Sequence, residues 1–485
     1  MITSFEHLRL TLARSPLLIA TLALGLGGLV GGVTALGPIY VLAGLCALVA
    51  GLAVLVSVEL GLLAIFAIIT LLPFGTLPFQ AVITPNFLEL ALSALFGIWV
   101  LRLLADSERF ELRLTPLGLP LLGFLGLTFF SLFLGARGLP DNLTLHNYAK
   151  FVLGVLLFFS VVNTVRTTAQ ARFALRGLIL CGGAAALIGL LLWLLSDSLA
   201  LSLLVSLGRI GYPTSGRVLR YVEDDTAGLE RAIGAAVDPN SYGGMLALVG
   251  VLAAAQLVAA RPLLPRWLLA TCVGLIGLAL LLTFSRAALL GAIIAAAFLA
   301  TVRYRRLWGA MLVATSLAAI LLIVTGIGGP FIERLVEGLQ FRDQAQQMRL
   351  AEFENAFAVI ERYPFFGIGF GSAPDIDLTA GVSSIYLALG QRVGLIGLLA
   401  FLGLVSFWYV LTRAALAQAD EERASWILGC QAAIVAALAV GLADHYYFNI
   451  EFSHMVALFW GVAGLGMAVT SDDPVISKTD AAFTS

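Results

Sequence analysis

The residues best equipped for chemistry in this chain are arginines. Arg286 sits in Thr283-Phe284-Ser285-Arg286-Ala287-Ala288, at the expected start of a helix. There the helix N-terminal amides and a guanidinium point at one place, which suits an anion and phosphate above all. The alternative is an interfacial arginine snorkelling to lipid headgroups. Arg349 lies in the longest polar stretch, residues 328–382, with Arg334, Arg342 and Arg362. Leu350, Phe353, Phe357 and Ile360 recur there at helical spacing, with Arg349, Glu352 and Asn355 off that stripe. The pattern predicts a helix lying on the membrane or on the bundle, its polar side lining a cleft. Pro364 ends it, and Gly367, Gly369 and Gly371 then permit tight turns and close backbone approach.

A second polar segment, residues 197–238, carries Arg209, Arg217, Arg220 and Arg231 beside Glu223, Asp224, Asp225, Glu230 and Asp238. It closes on Asp238-Pro239-Asn240. Asp caps a helix and Pro suits its first turn, while Asn240 is a candidate sugar-hydroxyl contact. His146 and Lys150 are one helical turn apart and share a face. Lys150 either neutralises a phosphate or pairs with an outer-loop carboxylate. Arg392 lies about two turns into a span, beside Gln391 and Gly394, where it is either buried for structure or lines the site. Small residues in Gly390-Gln391-Arg392-Val393-Gly394-Leu395-Ile396-Gly397 permit close helix approach. Asp444-His445-Tyr446-Tyr447-Phe448 offers His445 as a general base. An interfacial aromatic belt explains the same ring cluster.

What positions these groups is almost entirely apolar. Of 485 residues, 60% are hydrophobic and 12% charged, with a mean hydropathy of +1.01; soluble domains are about 25% charged. Repeated apolar runs of about 20 residues cross a bilayer as helices. The fold class expected is an all-α polytopic membrane protein with about fourteen spans, twelve at the least. They lie near 15–35, 37–57, 58–73, 87–104, 116–135, 146–164, 174–196, 239–260, 264–283, 286–302, 307–327, 384–411, 424–443 and 452–470. Residues 1–485 then form a single transmembrane domain with two long loops, 197–238 and 328–382, and a tail at 471–485. The first span follows Arg9 and Arg14 without a small-residue cleavage site and is expected to stay. Four cysteines, Cys46, Cys181, Cys272 and Cys430, sit in apolar runs without metal-like spacing and read as small core residues. Lys150 and Lys478 are the only lysines among 28 basic residues, a bias that base composition explains.

Short cytoplasmic loops carry the positive excess. With the N-terminus inside, the inner segments hold Arg102, Arg109 and Arg113; Arg166, Arg172 and Arg176; Arg303, Arg305 and Arg306; and Arg413 and Arg423. Short outer loops hold almost none. Both termini are therefore expected in the cytoplasm, and both long loops outside, where long loops are exempt from the charge rule. The sequence has no Gly-rich phosphate loop, no Rossmann fingerprint and no metalloprotease helix motif. A transferase on the outer face must take an already activated donor, such as a lipid pyrophosphate.

In their order along residues 90–470, several motifs resemble those of the O-antigen ligase and polysaccharide polymerase superfamily. They are Asp238-Pro239-Asn240 opening a span, Ser285-Arg286, and Arg349 leading into Pro364-Phe365-Phe366-Gly367-Ile368-Gly369-Phe370-Gly371. Ile385-Tyr386-Leu387 and Gly394-Leu395-Ile396-Gly397 follow. The resemblance implies a bacterial inner-membrane glycosyltransferase that takes a glycan from undecaprenyl pyrophosphate and passes it to a glycan or glycolipid acceptor. It implies no metal or other cofactor and no nucleic-acid partner. By position, Arg286 and Arg349 become the pyrophosphate clamp, with Arg217, Arg220 or Arg231 as a third contributor. Asp238 or His445 becomes the base, and Tyr386 and Arg392 line the substrate site. Ligases usually place His-Asn before the Tyr-Leu pair, whereas this chain has Ser383-Ser384. A serine is no general base near neutral pH, which favours a polymerase or a divergent ligase. The rival class is a transporter or flippase of lipid-linked oligosaccharide, for which internal repeats and broken helices are the signature.

Overall fold

The computed structural model describes residues 57–77, 84–105, 112–113, 115–134, 140–222, 225–226, 228–324, 344–370 and 382–470. Residues 1–61 and 62–485 form two compact units, and of the first only residues 57–61 are described. The two expected spans before residue 58 lie outside the described residues, as does the tail.

Helices account for most of what is described. In order they are α1 (Val58–Leu71), α2 (Phe87–Ala105), α3 (Gly118–Leu134), α4 (Asn142–Thr164), α5 (Thr168–Leu194) and α6 (Asp197–Ser206), then α7 (Pro239–Leu257), α8 (Arg266–Leu282), α9 (Arg286–Val302) and α10 (Arg306–Val324), and finally α11 (Gln344–Arg362), α12 (Ile385–Leu416), α13 (Glu421–Val440) and α14 (Ser453–Ala468). Five of them, α4, α5, α7, α12 and α13, are long and apolar enough to cross a membrane. Their starts follow local chemistry. Asp141 accepts from the Thr144 amide, Thr167 and Gln170 form a reciprocal capping box, and Asp420 accepts from the Arg423 amide. Each satisfies amides that a helix start leaves unpaired.

The centre is α7, buried on every side and packed against α5, α8, α9 and α13; α14 lies along α4. Its neighbours' polar atoms find partners inside the bundle. Gln256 donates to the Ser425 carbonyl at 3.0 Å, Gln431 to Thr412 at 2.9 Å, and the Trp408 indole to the Ala463 carbonyl at 2.9 Å. Buried groups without water must do this.

Segment 197–238 is more ordered than its composition suggests. After α6, a two-residue ribbon pairs β1 (Arg220–Tyr221) with β2 (Glu230–Arg231), setting Arg220 opposite Arg231. The Ala232 amide then donates to the Leu282 carbonyl at 2.8 Å, tying the ribbon to the end of α8.

Helix α12 is broken. Gly394 has φ +76° and ψ −179°, a left-handed position that only glycine adopts readily. The segment after α11 fills the gap. Ile368 and Gly369 amides donate to the Gln391 and Arg392 carbonyls at 2.9 Å each, and the Leu395 amide donates to the Pro364 carbonyl at 2.7 Å. The sequence suggested that Gly394 would allow two helices to approach closely. Instead it lets a loop strand dock into an opened helix.

Candidate functional site

Helix α11 places Arg349, and it turns the polar side that carries Arg349 and Glu352 inward. The apolar stripe is split: Leu350 and Phe357 are 46% and 60% exposed, Phe353 and Ile360 are half-buried, and Ala356 and Val359 are fully buried. The face that turns inward is Arg349, Glu352, Ala356 and Val359, one side of a helix at spacings of three and four. On it, the Glu352 carboxylate accepts from the Ser383 amide at 3.0 Å. Arg349 Nη2 stands 3.9 Å from Asp444 Oδ1. The polar side of α11 therefore closes over the Ser383-Ser384 position and the turn before α14.

That turn is buried despite its polarity. Asp444 is 3% exposed, and its Oδ2 has no hydrogen-bond partner. Burial pushes its carboxyl up to about 7, against the opposing pull of the Arg349 guanidinium. His445 is treated the opposite way: burial pushes its imidazole down to about 4, and its Nδ1 also lacks a partner. At neutral pH that leaves His445 an uncharged ring, with Asp238 its charged neighbour.

A second knot joins the ribbon to the start of α7. Asp238 Oδ1 accepts from the Asn240 and Ser241 amides at 3.0 and 2.7 Å, capping the helix. Arg231 donates through Nε to the Thr283 carbonyl at 2.7 Å and through Nη2 to Asn240 Oδ1 at 2.6 Å. The Tyr446 hydroxyl hydrogen-bonds both Asp238 and Asn240. Asp238 and Asn240 are thus held on three sides, and Arg231 bridges the ribbon, the end of α8 and α7. Thr283 leads directly into Ser285, whose side chain caps α9, so Arg286 emerges exposed from the same corner.

Beneath this knot lies a cavity of about 440 Å³. Lys150, Arg220, Asp238, Glu451 and His454 line it together with Phe74 and Phe452. Arg220 Nε is buried without an acceptor. Lys150 has Glu89 and Glu451 as charged neighbours, and His146 on its helix face is paired to Glu89 at 2.9 Å.

Three further expected site residues do not line the cavity, though Arg392 has the cavity's Glu451 as a charged neighbour. Tyr386 donates its hydroxyl to the Leu438 carbonyl at 2.9 Å, linking α12 to α13. Arg392 Nη1 donates to the Gly369 carbonyl at 3.3 Å and so braces the docked loop. Arg217 is exposed on the loop before the ribbon.

Sequence reasoning missed Asp444 as the counter-charge of Arg349, Glu352 as the cap of Ser383, and Glu451 and Phe74 in the cavity wall. One signal was there to find: Asp444 is an acid inside a turn otherwise built of aromatic rings.

No curated protein gives a significant match to the chain. Residues 270–402, from the start of α8 to the middle of α12, match a family model described as O-Antigen ligase. That stretch contains Ser285-Arg286, Arg349 and the docked Pro364–Gly369 segment. That partial match supports the resemblance to the O-antigen ligase and polysaccharide polymerase superfamily read from the sequence motifs.

Proposed function

We propose that this protein is a glycosyltransferase that moves a glycan from an undecaprenyl-pyrophosphate donor to a sugar acceptor on the extracytoplasmic face of the bacterial inner membrane. It acts there as a polysaccharide polymerase or a divergent ligase, within a bundle of about fourteen spans whose termini are cytoplasmic. The observation that carries the reading is the meeting of Arg349 and Asp444 near the Arg231–Asn240–Asp238 knot, whose Asp238 lines a polar cavity.

Arg349 and exposed Arg286 hold the pyrophosphate, and their charge counts most as the leaving group gains negative charge. An acceptor hydroxyl attacks the anomeric carbon. The carbon–oxygen bond to the pyrophosphate breaks, the lipid pyrophosphate leaves, and Asp238 takes the acceptor's proton. Arg231 positions Asp238 and Asn240 rather than touching the substrate, because its guanidinium is already engaged. The cations supply the electrostatic work, so no metal is required.

The broken helix α12 is the one feature that favours a transporter. Its freed carbonyls at Gln391 and Arg392 are already taken by Ile368 and Gly369, which leaves them no ion to hold. Reconstitution of the purified protein with a defined lipid-linked glycan separates the two readings. Elongated or transferred product supports the transferase; movement of the intact donor across the bilayer without product supports the transporter.

A further inference from the structure

Lys150 and Arg220 both line the 440 Å³ cavity, and two cations by themselves would suit a phosphate. Its chemistry argues otherwise. The volume falls in the range of small-ligand sites, roughly 300–1,000 Å³. Two cations, Lys150 and Arg220, share the wall with two carboxylates, Asp238 and Glu451. Ionised carboxylates only accept hydrogen bonds, and beside a doubly charged anion they repel it. Lys150 already has Glu89 and Glu451 to answer its charge. Of the two arginines on the ribbon, the one aimed at the cavity keeps a buried Nε with no acceptor.

A sugar ring asks for what this wall offers. Each hydroxyl both donates and accepts, so it needs cations and carboxylates side by side. Its C–H face needs an aromatic surface, and the wall has Phe74 and Phe452, edge to face with ring centroids 5.9 Å apart, and the His454 ring 5.0 Å from Phe74. His454 itself is anchored, its Nε2 3.3 Å from Ser241 Oγ at the first turn of α7. The cavity holds Asp238 but neither Arg286 nor Arg349. A ring bound there sits against the candidate base, away from the candidate clamp.

We infer that this cavity is a saccharide subsite for an uncharged pyranose of the acceptor glycan, with Glu451, Lys150 and Phe74 setting its selectivity, and that the pyrophosphate binds elsewhere. The inference rests on the transferase reading but is tested without turnover. Lipid-free oligosaccharides, released by mild acid from the host's own surface polysaccharide, are titrated into the protein in nanodiscs and followed by saturation-transfer NMR. Inorganic pyrophosphate is the competitor. The expected result is saturable oligosaccharide binding that pyrophosphate does not displace. Glu451→Gln and Phe74→Leu should each weaken it at least tenfold, with Arg349→Ala leaving it intact. Glu451 is exposed at the rim, so Glu451→Gln does not depend on refolding a core. Displacement by pyrophosphate, or pyrophosphate binding lost in Lys150→Met while oligosaccharide binding persists, overturns the subsite. So does wild-type protein that binds pyrophosphate and no oligosaccharide. Binding without any transfer in the reconstituted assay sinks the transferase reading alone. Transfer whose acceptor KM is unmoved by Glu451→Gln sinks the subsite alone.

Discussion

Arg349 and Asp444 face each other at 3.9 Å, one on the loop helix α11 and the other in the buried turn before α14. The guanidinium holds the Asp444 carboxyl below where burial alone would leave it, and the balance falls at about 7. A pyrophosphate that draws Arg349 away removes that restraint. Donor binding near pH 7 should therefore take up a proton at Asp444. Calorimetric titration of a lipid pyrophosphate in buffers of different ionisation heat reads this directly, and Asp444→Asn should abolish the uptake. Binding heats that do not depend on the buffer would refute the coupling.

Asp444 and its neighbour His445 set opposite pH limits on stability. Asp444 has a native value raised from 3.8 to about 7. Its burial costs nothing below the unfolded value, costs more as pH rises between the two, and costs the full amount above about 7. His445 is lowered from 6.5 to about 4, so the fold loses stability as pH falls from the unfolded value towards the native one. Melting curves in detergent should show the Asp444→Asn variant gaining on the parent from pH 5 to pH 8. The His445→Gln variant should gain in the other direction, from pH 7 to pH 4.5.

Alanine at Arg349 or at Arg286 should lower kcat for transfer by about 10²-fold or more, the scale for losing one group that stabilises developing charge. Expression of both variants and the thermal midpoint of Arg286→Ala should stay near those of the parent, while Arg349→Ala should melt lower above pH 7 because Asp444 loses its counter-charge. Product formation from a defined lipid-linked donor is the measurement.

Gly394→Ala should fail at folding. A Cβ there would sit 2.2 Å from the Phe365 carbonyl oxygen, and the left-handed backbone adds about 1–2 kcal/mol for any L side chain. Loss of the monodisperse species on size exclusion is expected, while Gly403→Ala, with open space around its Cβ, should behave as the parent.

Tyr386→Phe separates structure from substrate contact. Its hydroxyl bonds the Leu438 carbonyl, and removing one such bond costs about 1 kcal/mol. A lower thermal midpoint with unchanged KM for donor and acceptor is the expected pattern; a raised KM would return Tyr386 to the substrate site.

The helices were legible because a bilayer imposes length and apolarity on every span, and those show in any window of the sequence. The apolar runs from residue 58 onward overlap described helices, five of them long and apolar enough to cross a membrane. Asp238-Pro239-Asn240 was legible as a cap for the same local reason. What was hidden depends on contacts distant in the chain. Nothing near Arg349 announces Asp444, and nothing in Arg231 announces the Thr283 carbonyl. On α11 the side with Arg349 and Glu352 turns inward and Leu350 and Phe357 stay exposed. On a membrane protein, exposed Leu350 and Phe357 have an apolar surrounding to meet, and the polar face is free to turn inward.

The strand docked into the break of α12 fixes one end of α11 within a few residues of Arg349's helix. This gives the long polar loop a fixed datum. Insertions or deletions before Gln344, or between Gly371 and Gly381, change the chain's length without passing through the Pro364–Gly369 seam. Selection can thus remodel those stretches for new glycans while the arginine keeps its address.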